Sequence, residues 1–314
     1  MSDAESMLRG ARRPLVIGMG GGGDVVGALA TAEFARIYDG AEPILGGVTW
    51  ERRPIDPIPG PRAAHEIVDA SELASGILLA GPRTRVRDRD VFFAESRMSE
   101  YLGEPTVLID IHAGAGAVAD GLARAAEQLE RDLIVFVDVG GDLLAQGDEP
   151  GLRSPLCDAL MLAAATQLND GGYPVLAAIF GIGCDAELTP VEVLARVSDV
   201  AIAGGLGGAR GLTEPVVERL ERAMQLVPTE ASAQAVRAFR GASGSAVIRG
   251  GTRTLELTPA AALTFYLDVA VTYREAGRLA HALADASSLE MANRALNSLG
   301  VRTELDYELE AAGN

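Results

Sequence analysis

The stretch Pro14-Leu15-Val16-Ile17-Gly18-Met19-Gly20-Gly21-Gly22-Gly23-Asp24 decides the fold. Its first half, Pro14–Met19, is an unbroken apolar run, as expected of a strand covered on both faces. From Gly18 onward it fits G-x-G-x-x-G. Where such a run joins a strand to a helix, the missing side chains let backbone N–H groups and the helix N-terminus approach a phosphate or carboxylate. The helix, Asp24–Tyr38, follows at once, and the unit opens a Rossmann-like α/β sheet. Asp24 is either the helix N-cap or a member of the site.

The same alternation continues outward. Strand Pro43–Val48 leads into a proline-rich loop, Arg53–Arg62, long enough to be a lid or binding loop. A short apolar run, Gly76–Ala80, precedes a helix around Arg89–Leu102. Thr106–Ile111 and Leu133–Val139 read as central strands flanking a helix at Gly116–Arg131. Asp158–Leu168 is helix, Pro174–Phe180 strand and Pro190–Ala203 helix, and the glycine cluster Gly204–Gly211 ends the sheet core. Beyond it come helices at Glu214–Leu226 and Ser232–Arg240 and a hairpin, Ala246–Arg249 with Thr252–Leu257, turning at Gly250–Gly251. A long helix, Pro259–Ala286, a shorter one, Leu289–Leu299, and an extended tail, Val301–Leu309, complete the reading. The expected architecture is α/β: a mostly parallel sheet with helices on both faces over residues 1–212, carrying the ligand site, and a helical and hairpin appendage over 213–314 packed on it as one continuous unit.

Composition narrows the chemistry. The chain has 314 residues and a net charge of −17, which disfavours nucleic acid as a partner. It contains no lysine, so all 27 basic residues are arginine. A Schiff-base, pyridoxal-phosphate or P-loop lysine is therefore excluded. Cys157 and Cys184 stand far apart without CxxC spacing, and His65, His112 and His281 form no HExxH pair, which argues against a disulfide framework and a zinc hydrolase. No segment offers the roughly 18 uninterrupted apolar residues of a spanning helix. The polar start, Met1–Arg13, lacks the apolar stretch of a secretory signal, so a cytoplasmic location and no membrane partner are expected.

Polar residues recur at strand ends. Asp138-Val139-Gly140-Gly141-Asp142 places two carboxylates across a glycine bend, where Asp138 and Asp142 can converge on one Mg²⁺, cap the next segment, or act in acid–base work. In Ser154-Pro155-Leu156-Cys157-Asp158, Ser154 and Asp158 either cap a helix or contact the ligand. Gly181-Ile182-Gly183-Cys184-Asp185-Ala186-Glu187 offers Asp185 and Glu187, and sets Cys184 in a superficial likeness of a nucleophile elbow. Asp110-Ile111-His112 repeats the design, with His112 as an acid–base candidate or a histidine bonded under a loop. Thr49-Trp50-Glu51-Arg52-Arg53 adds Thr49 and Glu51 as ligand contacts, a tryptophan for packing or stacking, and arginines for an anion. Arg210, in the glycine cluster, is a further anion contact or part of a plain loop. Gly20, Gly21, Gly22, Gly23, Gly140 and Gly141 give backbone approach. A dinucleotide is compatible with the turn but not favoured, because Asp24 adds negative charge there and no acid other than Glu51 stands near the usual distance of about 20 residues.

The runs Gly20–Gly27, Val137–Asp142, Ser154–Asp158 and Gly183–Leu188 resemble those of domain of unknown function 1152, a family of archaeal and actinobacterial proteins, over most of the chain. The resemblance implies no activity, but it supports treating these motifs as one site.

The expectation is an enzyme that binds a small phosphorylated, nucleotide-like or carboxylated metabolite, with aspartates holding Mg²⁺ or acting as base in group transfer or hydrolysis. Two other classes stay open: a non-catalytic nucleotide-sensing module, and metal-free chemistry on an amino-bearing metabolite. The tail Val301–Leu309 either pairs with a second subunit in a homo-oligomer or closes its own sheet.

Overall fold

The computed structural model describes residues 4–313. Its elements in chain order begin with α1 (Ala4–Gly10), β1 (Leu15–Gly18), α2 (Asp24–Phe34), β2 (Ile44–Val48), β3 (Ile67–Ala74) and β4 (Ile77–Val86). Then come α3 (Ala94–Leu102), β5 (Thr106–Ile109), α4 (Gly114–Gln128), β6 (Ile134–Val139), α5 (Pro155–Asp170), β7 (Val175–Phe180), α6 (Pro190–Ile202) and β8 (Leu206–Gly211). The rest is α7 (Glu214–Ala223), α8 (Glu230–Phe239), β9 (Gly244–Ile248), β10 (Arg253–Leu257), β11 (Leu263–Asp268), α9 (Val269–Ala276), α10 (Arg278–Leu283), α11 (Leu289–Ser298) and α12 (Glu304–Gly313).

Nine strands form one sheet in the order β3-β4-β5-β2-β1-β6-β7-β11-β8. The centre, β5 to β7, is parallel, and both flanks are antiparallel. Helices cover both faces, as the apolar strands require. Alternate residues of one strand enter opposite cores: Ile134 and Phe136 of β6 pack on one side with α4, α5 and α9 to α11, whereas Val135, Val137 and Val139 pack on the other with α2, α7 and α8. The chain runs from β1 outward to β2 and β5, then returns to β6 on the opposite flank of β1. Neighbouring strand ends thus diverge at β1 and β6, where open α/β sheets place ligands.

Three expectations give way. Pro259–Ala286 is not one helix: after a short 3-10 turn, β11 pairs antiparallel with β7 and β8 inside the sheet, so the core does not end at Gly211. Leu263 and Leu267 have helical spacing, but the Thr264-Phe265-Tyr266 run between them fits a strand, and Asp268 then caps α9 by accepting a bond from the Val271 N–H at 2.9 Å. The glycine cluster is edge strand β8. At Gly207 a side chain would strike the Ala4 methyl of α1, so glycine is what lets α1 lie against this strand. The run Gly76–Ala80 is part of β4, in a hairpin with β3. The tail is helix α12, started by Thr303 and Asp306, each of which bonds to the other's backbone N–H.

Among the described residues no helix is long and apolar enough to cross a membrane.

Gly27 of α2 rests against β6, and a Cβ there would fall on Val139 Cγ2 and lie 3.1 Å from the Phe180 ring. Gly27→Val is expected to cost roughly 1–3 kcal/mol, the usual range for overpacking a filled core. A lowered urea midpoint would register it, and an unchanged midpoint would contradict the close approach of α2 to the sheet.

Candidate functional site

The carboxyl ends of β1, β6 and β7, the start of α5 and the turn between α7 and α8 enclose a cavity of about 730 Å³, within the ~300–1,000 Å³ typical of small-molecule sites. Gly20 to Asp24, Glu51, Arg52, Asp142, Asp158, Asp185 and Glu187 line it. Motif residues as far apart in the chain as Gly20 and Glu187 therefore meet on one rim.

Two groups of three carboxylates stand out among the described residues, each with ligand atoms within 4.8 Å of one another: Asp24, Asp138 and Asp158, and Asp142, Asp185 and Glu187. Asp138 and Asp142, expected to share one cation, fall into different groups. In the first group, Asp24 Oδ2 accepts from the Gly20 N–H at 2.9 Å and Asp138 Oδ2 from the Leu143 N–H at 3.1 Å. Asp138 Oδ1 and Asp158 Oδ1 are buried and meet no hydrogen-bond partner among the described residues. The second group is better provided. Glu187 accepts from the Arg153 and Ser154 N–H groups at 2.6 and 2.8 Å, from Ser154 Oγ at 2.6 Å and from Arg253 at 3.2 Å. Asp185 Oδ1 accepts from the Glu187 N–H at 3.2 Å.

Crowding so many acids shifts their protons. Burial, then the charge of Asp138, pushes the Asp24 carboxyl up to about 7. Burial pushes Asp138 up to about 6 against the pull of the Leu143 N–H. Asp142, Asp158 and Asp185 are driven well above the ordinary carboxylate range by burial and by one another's charge.

The glycines act by leaving room. A Cβ on Gly20 would come within 2.5 Å of Asp24 Oδ2, and one on Gly140 would overlap the Asp185 carboxylate. Gly140 and Gly141 have φ of 127° and 118°, open to glycine at little cost, and they lie beneath the carboxylates rather than in the cavity wall. The Gly20 N–H is already taken by Asp24, so the turn is not the bare anion cradle that its sequence suggests.

Several other expectations move. His112 lies in a separate hollow of about 380 Å³, its Nδ1 2.7 Å from Asp110 Oδ1, and does not line the acidic cavity. The paired Asp110 carboxylate raises its pKa, but nothing brings it to the aspartates. Thr49 is fully buried, donates to the Arg62 carbonyl at 2.6 Å at the end of the proline-rich loop, and does not line the cavity. Cys184 is buried, its thiol is pushed up by burial and Asp185, and it does not line the cavity. Arg210 is bound to Asp39 at 2.6 Å and Glu5 at 3.0 Å, away from the cavity. Trp50 is buried, with the Arg52 guanidinium 4.1 Å from its ring centroid.

Ser154 does not cap α5. That role belongs to Glu304 of α12, which accepts from the Leu156 and Cys157 N–H groups at 3.0 and 2.9 Å and lies 3.5 Å from Arg52. Glu308, one turn on, accepts from Trp50 Nε1 at 3.1 Å and the Gly60 N–H at 2.7 Å. The tail thus fastens the start of the Asp158 helix to the loop after β2. Its sequence signal was the Thr303-x-x-Asp306 start of a helix. Arg249, at the β9–β10 turn, also lines the cavity and was absent from the motif reading.

A family model described as Protein of unknown function (DUF1152) matches residues 15–312. No curated protein and no solved structure matches the chain.

Replacing Glu304 by alanine leaves two amides at the start of α5 and the Arg52 guanidinium short of an acceptor. A loss of about 1–3 kcal/mol is expected, read as a lower denaturation midpoint. A second expectation concerns pH. Folded Asp24 and Asp138 hold protons up to about 7 and 6, whereas a carboxyl of ordinary pKa 3.8 has released them. The fold therefore binds the extra protons between these values, and in a chelator its stability falls as pH rises from about 4 to about 7. Thermal melts across that range should show the fall, and Asp24→Asn should flatten it; an equally steep fall in the variant would assign it elsewhere.

Proposed function

Given that the chain belongs to the family described as Protein of unknown function (DUF1152), we propose from its site geometry that it is a divalent-cation-dependent enzyme acting on a small phosphorylated metabolite by group transfer or hydrolysis. The observation that carries this reading is the pair of buried, unpartnered oxygens, Asp138 Oδ1 and Asp158 Oδ1, in one ligand group with Asp24. A buried carboxylate oxygen without a partner is costly unless a proton or a cation meets it. Three carboxylates suit a hard cation such as Mg²⁺ or Mn²⁺, which keeps further positions for water and phosphate oxygens.

The cation would supply positive charge at the phosphate, a service that a lysine performs in other folds. This chain has none. Around it, the chain's own residues divide the work. Arg249 lines the cavity, its backbone N–H donating to Glu230 at 2.8 Å, and its guanidinium is suited to an incoming phosphate. Asp142 and Asp185, whose affinity for protons is raised, are suited to take one from an attacking water or hydroxyl. Glu187 joins them to Arg253 and the start of α5. Two free, buried cysteines fit a reducing, cytoplasmic setting.

A second reading is favoured by the excess of acids over arginines in the lining: the carboxylates bind an amino-bearing substrate directly. The two readings part on chelation.

Mg²⁺ or Mn²⁺ is expected to raise the melting temperature of the wild-type protein, and further with pyrophosphate added. Asp158→Asn should weaken cation binding at least about tenfold, as loss of a ligand does, and Arg249→Ala should weaken pyrophosphate while sparing the cation. Calorimetric titration measures both. Wild-type protein that takes up no divalent cation at neutral pH overturns the metal reading.

A further inference from the structure

Beside the acidic cavity opens a smaller annex of about 200 Å³. The two share Gly23, Glu51, Ile55 and Pro228, so a ligand seated over the carboxylates can extend into it. Its chemistry differs from that of the basin. Ile55, Phe92, Leu226 and Val227 give it apolar walls. Ile55 and Leu226 are 49% and 40% exposed, so both side chains are open to a ligand in the annex. Arg97 stacks its guanidinium 4.1 Å from the Phe92 ring centroid and adds a flat surface. One buried acid reaches both compartments: Glu51 Oε1 accepts from the Ala94 N–H at 2.5 Å, and Oε2 faces the glycine turn, 4.0 Å from where a Gly22 side chain would begin. Burial pushes this carboxyl up to about 7, so near neutral pH it is able to donate as well as accept.

We infer that the annex receives the planar, amino-bearing heterocyclic base of a nucleotide whose phosphates lie over the aspartates, with Glu51 bonded to the amino edge of the base and Phe92 and Ile55 covering its faces. This deepens the proposed function and rests on it, because the phosphate end depends on the cation. The chemistry favours a base over an aliphatic group. An alkyl chain has nothing to offer Glu51, whereas an amino group beside a ring nitrogen pairs with a carboxyl through two hydrogen bonds and leaves both ring faces for apolar contact. A sugar phosphate would leave the annex walls uncovered.

Calorimetry with saturating Mg²⁺ compares ADP, purine riboside diphosphate, whose base carries neither the amino group nor a ring N–H, and pyrophosphate. ADP is expected to bind at least about tenfold tighter than pyrophosphate, given what stacking on an aromatic side chain contributes, with purine riboside diphosphate between them. Phe92→Ala and Glu51→Ala should each remove most of the ADP advantage over pyrophosphate, and Phe92→Ala, whose side chain lies outside the acidic cavity, should leave pyrophosphate binding unchanged, which also reports that this variant folds. If ADP binds no better than pyrophosphate, or if the variants weaken both alike, the annex assignment is wrong while the cation site stands. If pyrophosphate and ADP both fail to bind with Mg²⁺ present, the reading of the basin fails and takes the annex with it.

Discussion

The constraint on which the rest depends is electrostatic: six carboxylates share one rim of a sheet, most of them withdrawn from water. Like charges so placed cannot all ionise in a low-dielectric setting without a counter-charge. The chain meets part of that demand internally. Backbone N–H groups, Ser154 and Arg253 serve the group containing Glu187, and they leave it largely satisfied. The group containing Asp158 keeps two oxygens, Asp138 Oδ1 and Asp158 Oδ1, without hydrogen-bond partners among the described residues.

Topology makes the crowding reachable. The strand order turns back at β1, so β1 and β6 deliver their following loops to one crevice, and β7 delivers a third beside it. Glycine then sets how closely the loops approach: Gly140 yields space to Asp185, and Gly20 to Asp24. The cross-ties are long-range. Glu304 reaches the start of α5, and Glu308 reaches Trp50 and Gly60, so the height of Asp158 above the sheet is fixed by a helix far along the chain.

The parallel centre was legible because its strands are short apolar runs closed by glycine or acid, a pattern that only doubly covered strands need. The convergence of the Gly20–Asp24, Asp138–Asp142 and Asp185–Glu187 motifs was legible for the same reason: each follows such a strand. What could not be read was set by partners distant in sequence. Leu263 to Asp268 looks helical by spacing, and it becomes a strand because β7 offers an open edge. Val301 to Leu309 looks extended until the reciprocal bonds of Thr303 and Asp306 are noticed. His112 sits at a strand end like the aspartates, but its strand, β5, lies two places from β1 and ends over a different hollow. Nor does sequence distinguish a glycine turn that binds an anion from one whose first N–H is already occupied by its own Asp24.

The position of β11 has a consequence for the order of assembly. β8 precedes it in the chain by about fifty residues yet bonds only to it, on the side away from β7. Until residues 263–268 have been laid against β7, β8 has no strand to pair with. Such late, non-local closure slows folding and leaves a strand waiting. Leu206-Gly207-Gly208-Ala209-Arg210-Gly211 is suited to that wait: three glycines and a charge give a bare edge little apolar surface with which to capture the wrong partner.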